Sequence, residues 1–214
     1  MAYTNNKYVV AAIVGNFYQE STVNPGIWEG LTPNNPGYGL GQWTDNPPIV
    51  MRRTALFNWL DSNGYPHDSG QGQLEFLIHE NVWLPNNPNF PTSAYATLTD
   101  FLNSNSTNLW DLTKEFMWHW EGIDDGSFNT RYVFAMKILD KYELGLEPGT
   151  WISGNRYLQE AESINNGLLC YRFFMGTTPP TPPEPYNPTE EEVVALVKSI
   201  LRKRNKKGGI YIEL

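Results

Sequence analysis

A carboxylate stands where the pattern calls for a hydrocarbon. In YTNNKYVVAAIVGNFYQES, Val9, Ile13 and Phe17 recur every fourth residue, the spacing that stacks side chains on one helical face. The next position on that face, three residues past Phe17, is Glu20. Burying a charge without a partner is costly, so half-burial against apolar neighbours raises the proton affinity of such a carboxyl. A carboxylic acid that keeps its proton near neutral pH can protonate a glycosidic oxygen, the general-acid half of glycoside cleavage. A plainer alternative has the same side chain accepting hydrogen bonds from backbone amides of the following loop.

Other chemistries fare worse. The histidines, His67, His79 and His119, are scattered without ligand spacing, so no metal site and no zinc peptidase is expected. No histidine follows Cys170, the one cysteine, which reads as a buried structural thiol and excludes an intrachain disulfide. There is no serine-hydrolase elbow and no phosphate-cradling glycine loop, and no cofactor is expected. A formal charge of −8 argues against nucleic acid, which requires a basic surface. No run approaches the roughly 18 apolar residues of a membrane span. The first residues, MAYTNNKYVV, lack the charged-then-apolar pattern of a secretory signal. Eight Trp and twelve Tyr serve mostly as core; a minority on loops around a cleft would stack on sugar rings.

The elements that must position Glu20 are mostly helical. After the first helix, residues 22 to 48 are punctuated by Gly and Pro and read as a long loop that can hold a small hairpin. Helical periodicity returns in IVMRRTALFNWLDSNG, QGQLEFLIHENVW, TSAYATLTDFLNS, LWDLTKEFMWHWEG and NTRYVFAMKILDKYE. In the last of these, Tyr132, Met136 and Leu139 are the expected inward face. A further helical unit, GNRYLQEAESINNGLLCYRFFMG, precedes a Pro-rich spacer at 177–188. Residues 189–214 open with the N-cap Thr189 and carry an uncovered apolar stripe from Val193 to Leu201, the pattern of an amphipathic docking helix and tail. The expected organisation is a mainly α domain over 1–176, a linker and a tether helix.

NFYQESTVNPGIWEG followed by GYGLGQWT resembles the lysozyme domain of bacteriophage tail-tip peptidoglycan hydrolases from small podoviruses of Gram-positive hosts. The shared features are a Gly-Asn helix end, a Glu-Ser pair, an Asn-Pro-Gly turn with a Trp, and Gly-Leu-x-Gln-Trp. The likeness continues loosely through FMWHWEG and Arg131, covering roughly residues 7 to 143. It implies a lysozyme-like helical fold with Glu20 matching the catalytic acid. By the same resemblance Gln42 and Trp43 face it across the cleft, where an amide and an indole suit an N-acetyl sugar, on a loop carrying Tyr38. Trp28 is either groove floor or core. Glu121 matches a family Glu, but Gly follows it here in place of Arg-Pro, and it reads as structural. For a second carboxylate, Asp45 and Glu29 are the nearest candidates. The family's segment before the catalytic helix is missing from the front, yet 154–176 resembles it. That suggests a circularly permuted first helix, or else a vestigial second repeat.

The resemblance implies cleavage of glycan strands between N-acetylmuramic acid and N-acetylglucosamine by a virion-associated enzyme in the tail or released at lysis. Hydrolysis with a second carboxylate and lytic transglycosylation with Glu20 alone are both open. A non-catalytic wall-binding or tail-assembly module is the rival from another class. Expected partners are bacterial peptidoglycan and, through residues 189–207, phage tail proteins or a second copy of the chain.

Overall fold

In a computed structural model of the chain, residues 2–154 and 158–176 are described. They fall in one compact unit, Met1–Thr181. The Pro-rich linker and the tether helix expected at 177–214 lie outside the described residues.

The fold is built around its first helix, α1 (Lys7–Ser21). Asn6 caps its start, the side-chain oxygen accepting from the Tyr8 N–H at 2.9 Å. Every residue from Val9 to Phe17 is buried, so the helix is enclosed on all sides rather than along one apolar stripe. It packs against α5 (Leu109–Phe116), α6 (Phe128–Glu143) and α7 (Glu160–Met175). Small residues make this enclosure feasible. At Gly15 an added Cβ would lie 2.3 Å from the Arg131 carbonyl oxygen, so α6 crosses α1 almost backbone to backbone.

The long loop expected after α1 carries a three-stranded antiparallel sheet: β1 (Gly37–Tyr38), β2 (Trp43–Asn46) and β3 (Val50–Met51), paired in that order. The buried Gln73 of α3 (Gly70–Glu80) pins this region from below. Its amide donates to the Pro25 carbonyl at 2.7 Å and its oxygen accepts from the Leu40 N–H at 2.9 Å. The helix α2 (Arg52–Ser62) starts only at Arg52, because Val50 and Met51 are taken by β3.

Three further elements depart from the periodicity. The helix expected over 92–104 shortens to α4 (Leu98–Leu102), capped by Thr97. Ahead of it, Ser93 is tied to Glu115 at 2.5 Å. After α5 the helix widens into a π turn, Met117–Glu121, which ends on Gly122 in the left-handed region. On α6 the buried face is Arg131, Phe134, Ala135, Ile138 and Tyr142. The face expected from sequence, Tyr132, Met136 and Leu139, is rotated away, with Met136 exposed. A buried arginine within the inward stripe shifts the apparent phase.

The helix α7, beyond the stretch from 7 to 143 that carries the resemblance, is fully incorporated. Leu168, Cys170, Tyr171 and Phe174 are buried. The Tyr171 hydroxyl donates to the Lys7 carbonyl at 2.8 Å, and the Tyr3 and Thr4 N–H groups donate to the Phe174 carbonyl. Among the described residues no helix is long and apolar enough to cross a membrane.

Candidate active site

The C-terminal end of α1 opens onto a groove of about 470 Å³. The chain leaves the helix sharply, with Thr22 and Val23 both at positive φ (53° and 58°). Ser21 fastens this exit to the sheet loop: its hydroxyl hydrogen-bonds the carbonyl oxygens of Leu40 at 2.8 Å and Phe17 at 2.9 Å. The Glu-Ser pair and the Gly-Leu-x-Gln stretch are thereby joined physically. Gly41 lets the loop approach the helical layer, since a Cβ there would meet the Trp120 ring at 2.4 Å.

Glu20 lines this groove, with its side chain 20% exposed. Its Oε1 accepts from Arg131 Nη2 at 2.5 Å. The guanidinium is completely buried and held from three further directions: Nη1 donates to Asn16 Oδ1 and Nε to Ser127 Oγ, both at 3.0 Å, while Asp125 stands 4.0 Å away. Burial raises the proton affinity of Glu20. Arg131 opposes it through charge and hydrogen bond, while Asp125 and Glu29 reinforce it, and the balance leaves the carboxyl above its usual range. The plainer alternative is therefore not what the structure displays: the partner is a buried arginine on α6, not a loop amide.

A second carboxyl, Glu121, lines the same groove from the π turn. Its Oε1 is buried and accepts no hydrogen bond among the described residues. Burial first, and then the charge of Glu20, push its proton affinity well up. Arg52 also borders the groove, but its guanidinium is committed to Glu80 at 2.7 Å and lies over the Trp120 ring.

The residues proposed from sequence separate into two groups. Trp28 and Gln42 line the groove, and so does Glu29. The Trp28 ring is braced edge-on by Tyr38 and Phe57. Gln42 sits at positive φ, its amide donating to the Gly39 carbonyl at 3.0 Å. Glu29 Oε2 accepts from the Gly37 N–H at 3.0 Å.

Trp43, Tyr38 and Asp45 do not line it. Trp43 is fully buried against Trp120 and Phe76, and its indole N–H donates to Glu80 at 2.9 Å. Alternation along β2 explains this: Thr44 lines the groove, so Trp43 before it points to the opposite side, into the core. Tyr38 packs beneath Trp28, and burial pushes its phenol up to about 12. Asp45 is held by Arg53 at 2.9 Å and by the Thr54 hydroxyl and N–H at 2.7 and 3.0 Å. Burial works against its ionised form, yet these donors prevail and hold the carboxyl below its usual range. That geometry stabilises β2 against α2 and engages both carboxylate oxygens of Asp45.

Sequence reasoning missed Asn16 and read Glu121 as structural. The polar Asn16 inside a buried helical run was the available signal, because a buried amide needs partners.

The chain is 34% identical over 100 residues to morphogenesis protein 1 of Bacillus phage B103. The aligned part is 46% of this chain and 25% of the relative, so the chain spans about a quarter of that protein's length. A family model described as phage tail lysozyme matches residues 3–142, the stretch that carries Glu20, the sheet loop, Glu121 and Arg131. The mainly α, lysozyme-like chain thus belongs to the phage tail lysozyme family.

Proposed function

We propose that the protein is a peptidoglycan-degrading glycosidase that cuts the strand between N-acetylmuramic acid and N-acetylglucosamine. The observation that carries this reading is Glu20: a half-buried carboxyl at a helix end, with raised proton affinity, on the wall of an open groove. Glu20 protonates the leaving oxygen as the bond to the muramic acid C1 breaks. Arg131 fixes the carboxyl's orientation and stabilises its conjugate base once the proton has gone. Trp28 offers a ring face to a sugar, and Gln42 an amide to its N-acetyl group. Water activated by a second carboxylate completes hydrolysis; Glu29 lines the groove and is our candidate for that role, with Asp45 engaged elsewhere.

That engagement of Asp45 is also the observation favouring a second route. Where no ionised carboxylate activates water, the sugar's own 6-hydroxyl attacks C1 and closes an anhydro ring, with Glu20 acting as acid and then as base. In both versions the enzyme works from a phage tail or after release at lysis.

The test is a digest of purified peptidoglycan by the wild type and by Glu20→Gln, with products reduced by borohydride and read by mass spectrometry. Reducible muramic ends that vanish in the variant support hydrolysis. Anhydro-muramic ends, lighter by one water, support the transglycosylase route. If the wild type releases neither from walls of several Gram-positive hosts, the glycosidase reading is wrong and a wall-binding or tail-assembly role replaces it.

A further inference from the structure

The charges around the groove do not pair evenly. Four carboxyls face it or approach it: Glu20 from α1, Glu29 from its lip, Glu121 from the π turn and Glu80 from α3. Two guanidiniums stand among them. Arg131 is spent on Glu20, Asn16 and Ser127. Arg52 is spent on Glu80 through Nη2 at 2.7 Å and Nε at 3.3 Å. Glu29 takes the Gly37 N–H. Glu121 alone of the four has no hydrogen-bond or ion-pair partner among the described residues, and its Oε1 is buried. A buried acceptor left unpaired carries a substantial desolvation cost and calls for an explanation.

We propose that Glu121, the carboxyl left without a partner on the groove wall, is a substrate-binding residue that donates a hydrogen bond to the N-acetyl carbonyl of the bound glycan beside Glu20. The inference rests on the glycosidase reading of the same groove. The balance of burial and charge around Glu121 favours the neutral form. Whenever Glu20 is ionised it repels a second negative charge, Glu80 adds to that repulsion, and Arg131 and Arg52, each already paired with one of these carboxylates, offset it only in part. Burial penalises the ion further. A carboxyl held neutral is a strong donor, and the amide carbonyl is the strongest neutral acceptor on an N-acetylated sugar; sugar hydroxyls suit an ionised carboxylate better. The wider π turn is what brings the residue to the groove, since it follows the buried Trp120 and precedes the left-handed Gly122.

The test compares wild type, Glu121→Ala and Glu121→Gln on soluble wall-glycan fragments between pH 5.5 and 8.5, reading kcat and KM from reducing ends. Alanine removes the donor and is expected to raise KM about tenfold while kcat changes less than threefold. Glutamine keeps an N–H donor and is expected to raise KM about threefold. Above its raised pKa, wild-type Glu121 loses its proton, stops donating and places a second anion beside Glu20. The wild-type KM therefore climbs with pH, whereas the Gln variant's stays flat. If the Ala variant does not fold, that contrast between wild type and Gln decides the matter. A hundredfold loss of kcat in Glu121→Gln would make the residue a proton donor and overturn the proposal. So would unchanged KM and an unchanged pH dependence in both variants. A wild type that releases no ends removes the glycosidase reading and this inference together. Active wild type, inactive Glu20→Gln and indifferent Glu121 variants remove this inference alone.

Discussion

Replacing Gly15 by alanine tests packing and site at once. A Cβ at this position would sit 2.3 Å from the Arg131 carbonyl oxygen and 2.8 Å from the Ala135 Cβ. Ordinary contact begins near 3.4 Å, so α1 and α6 must part by about 1.1 Å (3.4 − 2.3) at their crossing. Neither obstacle can swing aside, because one is backbone and the other is a methyl fixed to it. Overpacking of this kind costs about 1–3 kcal/mol, and the backbone clash puts Gly15→Ala at the upper end. For a unit of this size each kcal/mol moves the midpoint by about 2–4 °C, which gives a fall of roughly 6–12 °C. The same shift carries Arg131 away from Glu20, since the two side chains belong to the two helices being forced apart. A misplacement of about 1 Å can cost on the order of 100-fold in rate. The assay is a thermal melt followed by circular dichroism, paired with reducing-end release from peptidoglycan. Gly154→Ala is the control, because a Cβ there meets nothing within 4 Å. A Gly15→Ala protein melting within 2 °C of wild type would refute the close crossing and the argument that the crossing sets the Glu20–Arg131 contact.

Asp45→Asn should cost about 2–3 kcal/mol at pH 7, because it removes the anion from a nearly buried pair and leaves the Arg53 charge with the Asn35 carbonyl and the Trp28 ring but no counter-ion. Asp45's folded pKa is depressed, so its contribution is present above the unfolded value of about 3.9 and fades as pH falls through the folded one. Urea melts should show the variant's deficit shrinking below pH 4, and peptidoglycan release should survive; lost activity with unchanged stability would restore Asp45 as a reacting carboxylate. Deleting residues 150–176 removes α7 although the family match ends at 142. The truncated unit exposes apolar surface on α1 and α6 and should lose its cooperative melt, whereas an unchanged midpoint would defeat the idea that α7 fills a permuted first-helix slot.

Much of the helical frame is legible from spacing, because Leu56, Leu60, Leu74, Leu77, Leu112 and Phe116 do turn inward. Glu20 is legible for the opposite reason, as a charge that interrupts a hydrocarbon stripe. Two kinds of feature stay hidden. The α6 face misleads because its innermost residue is an arginine, and its pairing partner lies 111 residues earlier in the chain. The groove residues Trp28 and Gln42 are separable from Trp43 and Tyr38 only once the short strands set which side each faces. Glu121 looks like an ordinary polar helix end until the π turn and the lack, among the described residues, of a cation paired with it are seen together.

The contact between the start of the chain and the end of α7 has a topological consequence. A Cβ on Gly176 would touch Ala2, and Tyr3 hydrogen-bonds the Phe174 carbonyl, so a polypeptide enters and leaves this unit at one point on its surface. A longer chain can therefore carry the whole unit as a cassette on a single stalk without its flanking parts being pushed apart. Tension between those flanks would load the zipped ends first, as a clasp, and the groove would keep its shape while the carrier is pulled.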